Sequence, residues 1–115
     1  MIAAWYDRQG PPAEVLQLGE LPAAEPGPGE VRVRLTVSGA NPGDIKKRQG
    51  WLGSPMAFPQ IVPHSDGAGV IDAVGPGVDP AREGRRVWVY GAQSYRPFGT
   101  AALATVVPAA VPKGR

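Results

Sequence analysis

Aliphatic and polar residues alternate most clearly between Val31 and Ser38. Every second residue of this segment is Val or Leu, and the residues between them are Arg, Arg, Thr and Ser. A period of two predicts a β-strand with its four aliphatic side chains on one face and its arginines toward water or another polar surface. The Asn41-Pro42 pair breaks this strand. A short helix is then predicted from Asp44 to Gln49, with Gly50 just past its end.

Shorter apolar segments, separated by turns rich in Gly and Pro, predict the remaining strands. The segment from Pro22 to Gly29 is predicted as a loop, and so is the irregular stretch from Trp51 to Pro63. The other predicted strands are residues 1–6, 14–21, 67–74, 86–90 and 100–107. This order of short strands with one short helix predicts a mainly β domain, folded as a partly open β-barrel.

Length and composition fit a single domain spanning residues 1–115. The 16 glycines and 14 prolines would indicate disorder if they formed tracts, but they lie between the apolar segments and therefore indicate many turns. The net charge of +2, from 12 basic and 10 acidic residues, is too small to favour nucleic acid or an anionic membrane as a partner.

Two absences in the sequence limit the chemistry further. The chain has no cysteine, which excludes disulfides within it and thiolate metal ligands. It also has no apolar run near the ~20 residues that cross a bilayer, and no signal-peptide pattern follows Met1. These features fit a cytoplasmic protein without a membrane partner.

Four segments occur in an order and spacing that are typical of one known family. They read EPGPGEVRVRLTVSGANPGDIKKRQG, PHSDGAGVIDAVGPGVD, GRRVWVYG and FGTAALATVVPA. They lie between residues 25 and 109 and together resemble the N-terminal, GroES-like catalytic domain of the medium-chain dehydrogenase/reductases. The third segment departs from that family's usual Gly-Asp-Arg-Val, because Arg85 stands in place of the Asp.

The residues at the family's metal site indicate which branch this chain resembles. The zinc alcohol dehydrogenases carry a Cys ligand in the first loop and Gly-His-Glu before Gly-Ala-Gly. Here Asn41 lies in the first loop, and alignment on Gly-Ala-Gly puts Ser65 at the zinc histidine and His64 at the preceding glycine. One His and no Cys cannot supply the usual three protein ligands. The pattern is similar to the zinc-independent NADPH:quinone oxidoreductase (zeta-crystallin-like) branch.

That resemblance implies hydride transfer from NADPH to a quinone or an enone, without zinc. It implies that Asn41 lies near the nicotinamide ribose and the substrate, where its amide would stabilise developing negative charge. Ser65 would hydrogen-bond in the same cleft, and Asp44 would contact the ribose or orient its neighbours. Trp51 and Tyr90 are candidates for lining the substrate pocket.

Each of these residues also has an ordinary structural interpretation. Asn41 would merely cap the predicted helix, and Asp44 would be a first-turn charge that the helix dipole favours. Ser65 would fill the vacated metal site. The basic run Lys46–Arg48 is expected to be a solvated helix face.

The segment around the lone histidine leaves further alternatives. His64 is more often, in such a context, a surface or packed loop residue than a proton donor. Asp66 is expected to have a structural role. Gly67 and Gly69 precede a strand and do not link a strand to a helix, so they are interpreted as close-packing glycines and not as a dinucleotide fingerprint. Trp88 is expected in the core or on the barrel exterior.

The resemblance covers only one domain of such an enzyme. The Rossmann nucleotide-binding unit of the family follows this domain, and nothing after Pro108 resembles it. The chain alone is therefore expected to be inactive and to need a homodimer partner or a Rossmann-domain partner. The alternative is a free-standing GroES-like module that binds or supports another molecule without catalysis.

Overall fold

The computed structural model describes residues 1–93 and 96–114, without the side chains of Trp51 and Lys113. Antiparallel strands dominate this part of the chain, which confirms the mainly β fold, and their arrangement in two sheets is consistent with the predicted partly open barrel. The strands are β1 (Ile2–Trp5), β2 (Gln17–Glu20), β3 (Glu30–Gly39), β4 (Asp66–Val74), β5 (Arg86–Val89), β6 (Ala104–Pro108) and β7 (Lys113–Gly114). β1 and β2 form one sheet, and the second sheet has the order β6-β3-β4-β5-β7.

The described residues hold two α-helices, α1 (Pro12–Val15) and α2 (Pro42–Gln49), where the sequence predicted one. Pro12 stands at the first helical position of α1, where a proline has no hydrogen bond to lose. This one-turn helix buries Val15 against Tyr6 and Ile61. The predicted strand from residue 14 therefore starts late, at Gln17. Short 3₁₀ turns occur at Trp51–Gly53 and Pro80–Arg82.

The alternating segment forms β3, but its aliphatic side chains do not all share one face. Val31 and Val33 are fully buried, whereas Val37 is 60% exposed. Leu35 pairs with Gly69 and Val37 pairs with Ala68, so one strand carries an extra residue between these pairs. A bulge of this kind turns the following side chains to the opposite face. The expectation for Val37 was therefore wrong, because a bulge cannot be seen in the alternation.

The main core lies against the larger sheet. Its buried members are Val31, Val33, Ile71, Val87, Val89, Ala92 and Val107. Trp88, next to two of them on β5, is half-exposed on the exterior, as alternation along a strand requires. No helix in the described part of the chain is long and apolar enough to cross a membrane.

Gly67 and Gly69 allow β4 to lie close to β3, which confirms their interpretation as packing glycines. A Cβ on Gly69 would overlap the carbonyl oxygen of Arg34, and a Cβ on Gly67 would press on the carbonyl oxygen of Val37. The close contact matters for the site, because β4 begins at Asp66 and β3 ends at Gly39. The loops at these two strand ends are thereby held side by side.

Candidate functional site

The turn from β3 into α2 positions Asn41 and Asp44. Asn41 is the N-cap of α2 and Pro42 is its first residue. The backbone N–H of Asn41 donates to Oδ2 of Asp44 at 2.7 Å, which satisfies one of the donors that the helix start leaves open. Gly50 ends the helix in the left-handed conformation, with φ of 70°. The nearly buried Asp44 carboxylate thus fixes the backbone that carries Asn41.

The loop before β4 is hydrogen-bonded to the segment Pro97–Ala101. Val62 N–H donates to the Pro97 carbonyl at 2.9 Å, and Gly99 N–H donates back to the Val62 carbonyl at 2.8 Å. Thr100 N–H donates to the His64 carbonyl at 2.8 Å. A side chain on Gly99 would overlap that same carbonyl, so glycine is required for the close approach. These bonds hold residues 62–64 in one conformation.

The two loops meet through side chains. Asn41 Nδ2 donates to Oδ2 of Asp66 at 2.7 Å, which joins the start of α2 to the start of β4. Ser38 Oγ lies 2.7 Å from His64 Nδ1 and 2.9 Å from Thr100 Oγ1. Thr100 Oγ1 donates to the Asp66 carbonyl at 2.7 Å. The result is a connected polar cluster, defined here as Ser38, Asn41, His64, Asp66 and Thr100.

The backbone of His64 has a conformation that glycine adopts more easily than other residues. Its φ is +74°, a left-handed conformation that costs a side-chain-bearing residue energy and costs glycine little. The half-buried imidazole compensates through its contact with Ser38. His64 is therefore a packed loop residue with a polar partner. A non-glycine residue held in such a conformation is a reason to look for a function.

Ser65 and Tyr90, which the sequence also predicted as site residues, lie close to this polar cluster in the chain. Ser65 is half-buried between His64 and Asp66, and its carbonyl accepts the Ala92 N–H at 2.9 Å. Tyr90 follows β5 and is half-exposed, two residues before Ala92. The side chain of Trp51 lies outside the described residues, so its proposed place in a pocket has no structural counterpart here.

Ser38 and Thr100 belong to the cluster but were not singled out in the sequence. Ser38 is the last polar residue of the alternating segment, and that position was the only signal available for it. Thr100 is completely buried and sits 62 residues away in the chain. Its role follows from a tertiary contact that no local pattern encodes.

The basic run on α2 is only partly the solvated face that the sequence predicted, because Lys46 and Lys47 are exposed whereas Arg48 is buried. Arg48 is only 8% exposed and donates from Nη1 to the Gly10 carbonyl at 2.7 Å. Lys47 Nζ donates to Oε1 of Gln93 at 2.7 Å. Burial raises the pKa of Tyr6, and the Asp44 carboxylate raises it further, whereas Arg48 opposes the shift. Asp44, near the start of α2, and Arg48, near its end, thus both form hydrogen bonds that stabilise the fold.

A cavity of about 480 Å³ opens beside α2. Its walls are mostly apolar, and its polar lining residues are Lys47 and Gln93. Gln93 follows Ala92, which is bonded to the Ser65 carbonyl, so the cavity and the polar cluster share α2 and this loop. The lining residues are Lys47, Pro55, Met56, Ala57, Phe58, Ile61 and Gln93.

The donor atoms of the site do not suit zinc. In residues 1–93 and 96–114, no three His, Cys, Asp or Glu side chains converge in a way that could hold a metal ion. Ser38, Asn41 and Thr100 offer hydroxyl and amide groups, and the one imidazole already contacts Ser38. A catalytic zinc needs about three Cys, His or carboxylate ligands. The described side chains of the cluster are instead joined to one another by hydrogen bonds.

We expect the purified chain to contain less than about 0.1 zinc per molecule, because the required ligand set is missing. Elemental analysis after removal of any affinity tag measures this directly. Addition of EDTA should leave the melting temperature unchanged, since no structural metal would be lost. One tightly held equivalent of zinc would contradict the zinc-free assignment.

Comparison with known proteins places this geometry in a family. Residues 27–110 match the alcohol dehydrogenase GroES-like domain. An alcohol dehydrogenase of Moraxella sp. (strain TAE123) is 38% identical over an alignment of 81 residues that covers 67% of this chain and 23% of that protein.

Two solved structures extend the match to nearly the whole chain. A mycobacterial protein solved with NADPH superposes with a TM-score of 0.84 and 28% identity, covering 100% of this chain and 34% of that one. A quinone oxidoreductase of Pseudomonas syringae pv. Tomato DC3000 gives 0.83 and 30%, covering 99% and 33%. The chain spans about a third of the length of these structures. It belongs to the alcohol dehydrogenase GroES-like domain family of the medium-chain dehydrogenase/reductases.

Proposed function

We propose that this chain is the catalytic-domain part of a zinc-free oxidoreductase that transfers hydride from NADPH to a quinone or an enone. The observation that carries the proposal is the polar cluster. The two loops that hold the metal in zinc alcohol dehydrogenases present amide, hydroxyl and imidazole groups here. The likeness to a quinone oxidoreductase and to a protein solved with NADPH supports the same assignment.

Hydrogen-bond donors can replace zinc in this reaction. When hydride reaches a quinone or an enone, negative charge develops on the acceptor oxygen, and preorganised donors at that oxygen lower the barrier. One N–H of the Asn41 amide is held by Asp66, so the other N–H has a fixed direction. Ser65, on the neighbouring loop, is the second proposed donor. Asn41 is exposed at the loop surface, where a ligand can reach it.

NADPH would supply the hydride. This chain offers groups that fit only the nicotinamide end of that cofactor. Asn41 has an amide with a donor and an acceptor left over, which suits the ribose hydroxyls beside the nicotinamide. The Asp44 carboxylate already binds the Asn41 backbone, so it would act by positioning Asn41 as well as by any contact of its own with the ribose. The described residues contain no strand, glycine-rich turn and helix of the kind that binds a pyrophosphate. A nucleotide-binding domain would have to provide that part.

The cavity beside α2 is the proposed acceptor site. Met56, Phe58 and Ile61 give it the apolar walls that a flat conjugated ring needs, while Lys47 and Gln93 supply polar groups. Tyr90 and Trp51 are proposed to extend the pocket at the domain cleft. A homodimer or a Rossmann-domain partner would close that cleft and exclude water.

A fusion protein tests the proposed activity. The chain replaces the segment that it matches in the P. syringae quinone oxidoreductase, and NADPH oxidation is followed with 1,4-naphthoquinone as acceptor. We expect turnover by the fusion and none by the chain alone. The chain alone should bind NADPH with a dissociation constant above the micromolar range, which corresponds to a binding free energy weaker than about −8 kcal/mol.

The unmodified P. syringae enzyme is the positive control for the assay. Circular dichroism must show that the fusion is folded before its activity is judged. A folded fusion that reduces no quinone or enone would instead support the non-catalytic module. Micromolar binding of NADPH to the isolated chain would contradict the proposal that a separate domain provides most of the NADPH-binding site.

A further inference from the structure

The polar cluster contains a row of three hydrogen bonds that ends at the only histidine of the chain. The row runs from His64 Nδ1 to Ser38 Oγ, from Ser38 Oγ to Thr100 Oγ1, and from Thr100 Oγ1 to the Asp66 carbonyl. The three distances are 2.7, 2.9 and 2.7 Å. All are within hydrogen-bond range, so each needs one proton.

Counting these protons identifies the donor and the acceptor of each hydrogen bond in the row. A carbonyl oxygen only accepts, so the Thr100 hydroxyl must donate its single proton to Asp66. Thr100 can then only accept from Ser38, which uses the one proton that Ser38 has. Ser38 is left as an acceptor toward His64, so His64 Nδ1 must carry a hydrogen. In the neutral ring, Nε2 is consequently the nitrogen without a hydrogen.

We propose that His64 is the proton donor of the site, with Nδ1–H held on Ser38 and the transferred proton carried by Nε2. This inference rests on the proposed oxidoreductase function, because that reaction requires one proton for every hydride. The half-buried imidazole combines a fixed orientation with access to solvent for reprotonation.

Hydride transfer from the nicotinamide and proton transfer from His64 balance in atoms and charge. The quinone or enone receives a hydride from the nicotinamide, which is oxidised as the acceptor is reduced by two electrons. The Nε2–H bond of the imidazolium breaks while an O–H bond forms on the acceptor oxygen. The products are a hydroquinone or an enol, and a neutral His64 that still has its Nδ1–H. Solvent then returns the proton to Nε2.

The backbone at this position supports a functional role. With φ of +74°, glycine would fit without strain, so the fold alone does not call for a histidine. The carboxylates bonded to the loop that carries Asn41 are those of Asp66, on β4, and Asp44, on α2. The same elements and β3 also carry these ionisable residues: Asp72 on β4, Lys46, Lys47 and Arg48 on α2, and Glu30, Arg32 and Arg34 on β3. The facing segment Pro97–Ala101 contributes none, and Ser38 is the group that contacts the ring directly.

Nitrogen-15 NMR of the ring tests the proton count, because a single histidine gives one unambiguous pair of ring signals. In the whole chain at a pH where the ring is neutral, we expect Nδ1 to be the protonated nitrogen and Nε2 the bare one. On acidification only the Nε2 signal should gain a hydrogen. A neutral ring protonated at Nε2 would overturn the proposal.

Two variants test the row itself. Thr100→Val removes the acceptor of Ser38, which can then donate to the ring, so the neutral ring should shift toward the Nε2–H form. Thr100→Ser keeps the hydroxyl and should leave the ring as it is. Ser38→Ala removes the partner of Nδ1 at an exposed position and should abolish the preference even if Thr100→Val fails to fold. An unchanged tautomer in Ser38→Ala would also overturn the proposal.

Proton donation is tested with His64→Gly in the fusion protein. Glycine suits the backbone at this position, so the melting temperature should be kept or raised while turnover falls roughly a hundredfold or more. Full turnover with a stable fold would overturn the role in catalysis. If the unmodified fusion is inactive, the proposed function fails by itself, and the NMR result still decides the state of His64.

Discussion

Gly69→Ala is expected to lower the free energy of unfolding by at least about 3 kcal/mol. The added Cβ would overlap the backbone carbonyl oxygen of Arg34, which is part of β3 and cannot move as a flexible side chain would. To accept it, β3 and β4 must separate where Leu35 pairs with Gly69. That change would disturb the core beside Val33 and Ile71. Chemical denaturation measured by circular dichroism gives the value.

Gly43→Ala is the matched control for this prediction. It makes the same change inside α2, where an added Cβ meets no atom within 4 Å and φ is not positive. Alanine favours a helix over glycine, so we expect a gain of a few tenths to about 1 kcal/mol. Equal stability of Gly69→Ala and the unmodified protein would mean that β3 and β4 are not as close as described.

The strands were predictable from the sequence because each depends on local alternation and on turns marked by Gly and Pro. The face of Val37 was not predictable, since a bulge between β3 and β4 depends on the pairing of two distant segments. The helix at Pro12–Val15 was missed for a related reason. One turn of helix is too short to show a period, and its stability comes from burying Val15 against Tyr6 and Ile61.

The candidate site, like the fold, was predictable from the sequence only in part. Asn41, Asp44 and Ser65 stood out because they occupy recognisable loops, and the structure brings those loops together. A structural role was expected for Asp66, but its bond to Asn41 was not visible in the sequence. The bond from Asn41 to Asp66 spans 25 residues, and the contact of Ser38 with Thr100 spans 62. Motifs thus locate the loops, while the proton arrangement depends on contacts between them.

Exchange of Asn41 and Asp66 is expected to separate the chemical role of Asn41 from its structural role. On capping preference alone, Asn41→Asp would be tolerated, since Asp caps a helix as well as Asn does. The structure changes that expectation, because the new carboxylate would face the carboxylate of Asp66 at hydrogen-bond distance. We expect Asn41→Asp to lose about 1 kcal/mol of stability and Asn41→Ala a similar amount, through the lost hydrogen bond.

The pH dependence identifies the cause of each loss. Two facing carboxylates raise the pKa of one of them in the folded state, so the folded Asn41→Asp variant binds a proton more readily than its unfolded chain. Its deficit should therefore be absent at pH below the ordinary aspartate pKa of about 3.9 and develop as pH rises through the raised value. Asn41→Ala has no such group, and its deficit should not vary with pH. Melting temperatures across the acid range measure both.

The double variant Asn41→Asp with Asp66→Asn restores one amide and one carboxylate with the direction of the hydrogen bond reversed. Stability should return to within about 0.5 kcal/mol of the unmodified protein, because the repulsion is gone and the pair is rebuilt. Turnover in the fusion protein should not return. Position 41 then lacks the amide donor and carries negative charge where charge develops on the acceptor, which is expected to reduce turnover roughly ten- to a thousand-fold. If turnover recovers together with stability, Asn41 serves only to join α2 to β4, and the proposed donor must be sought at Ser65 or His64.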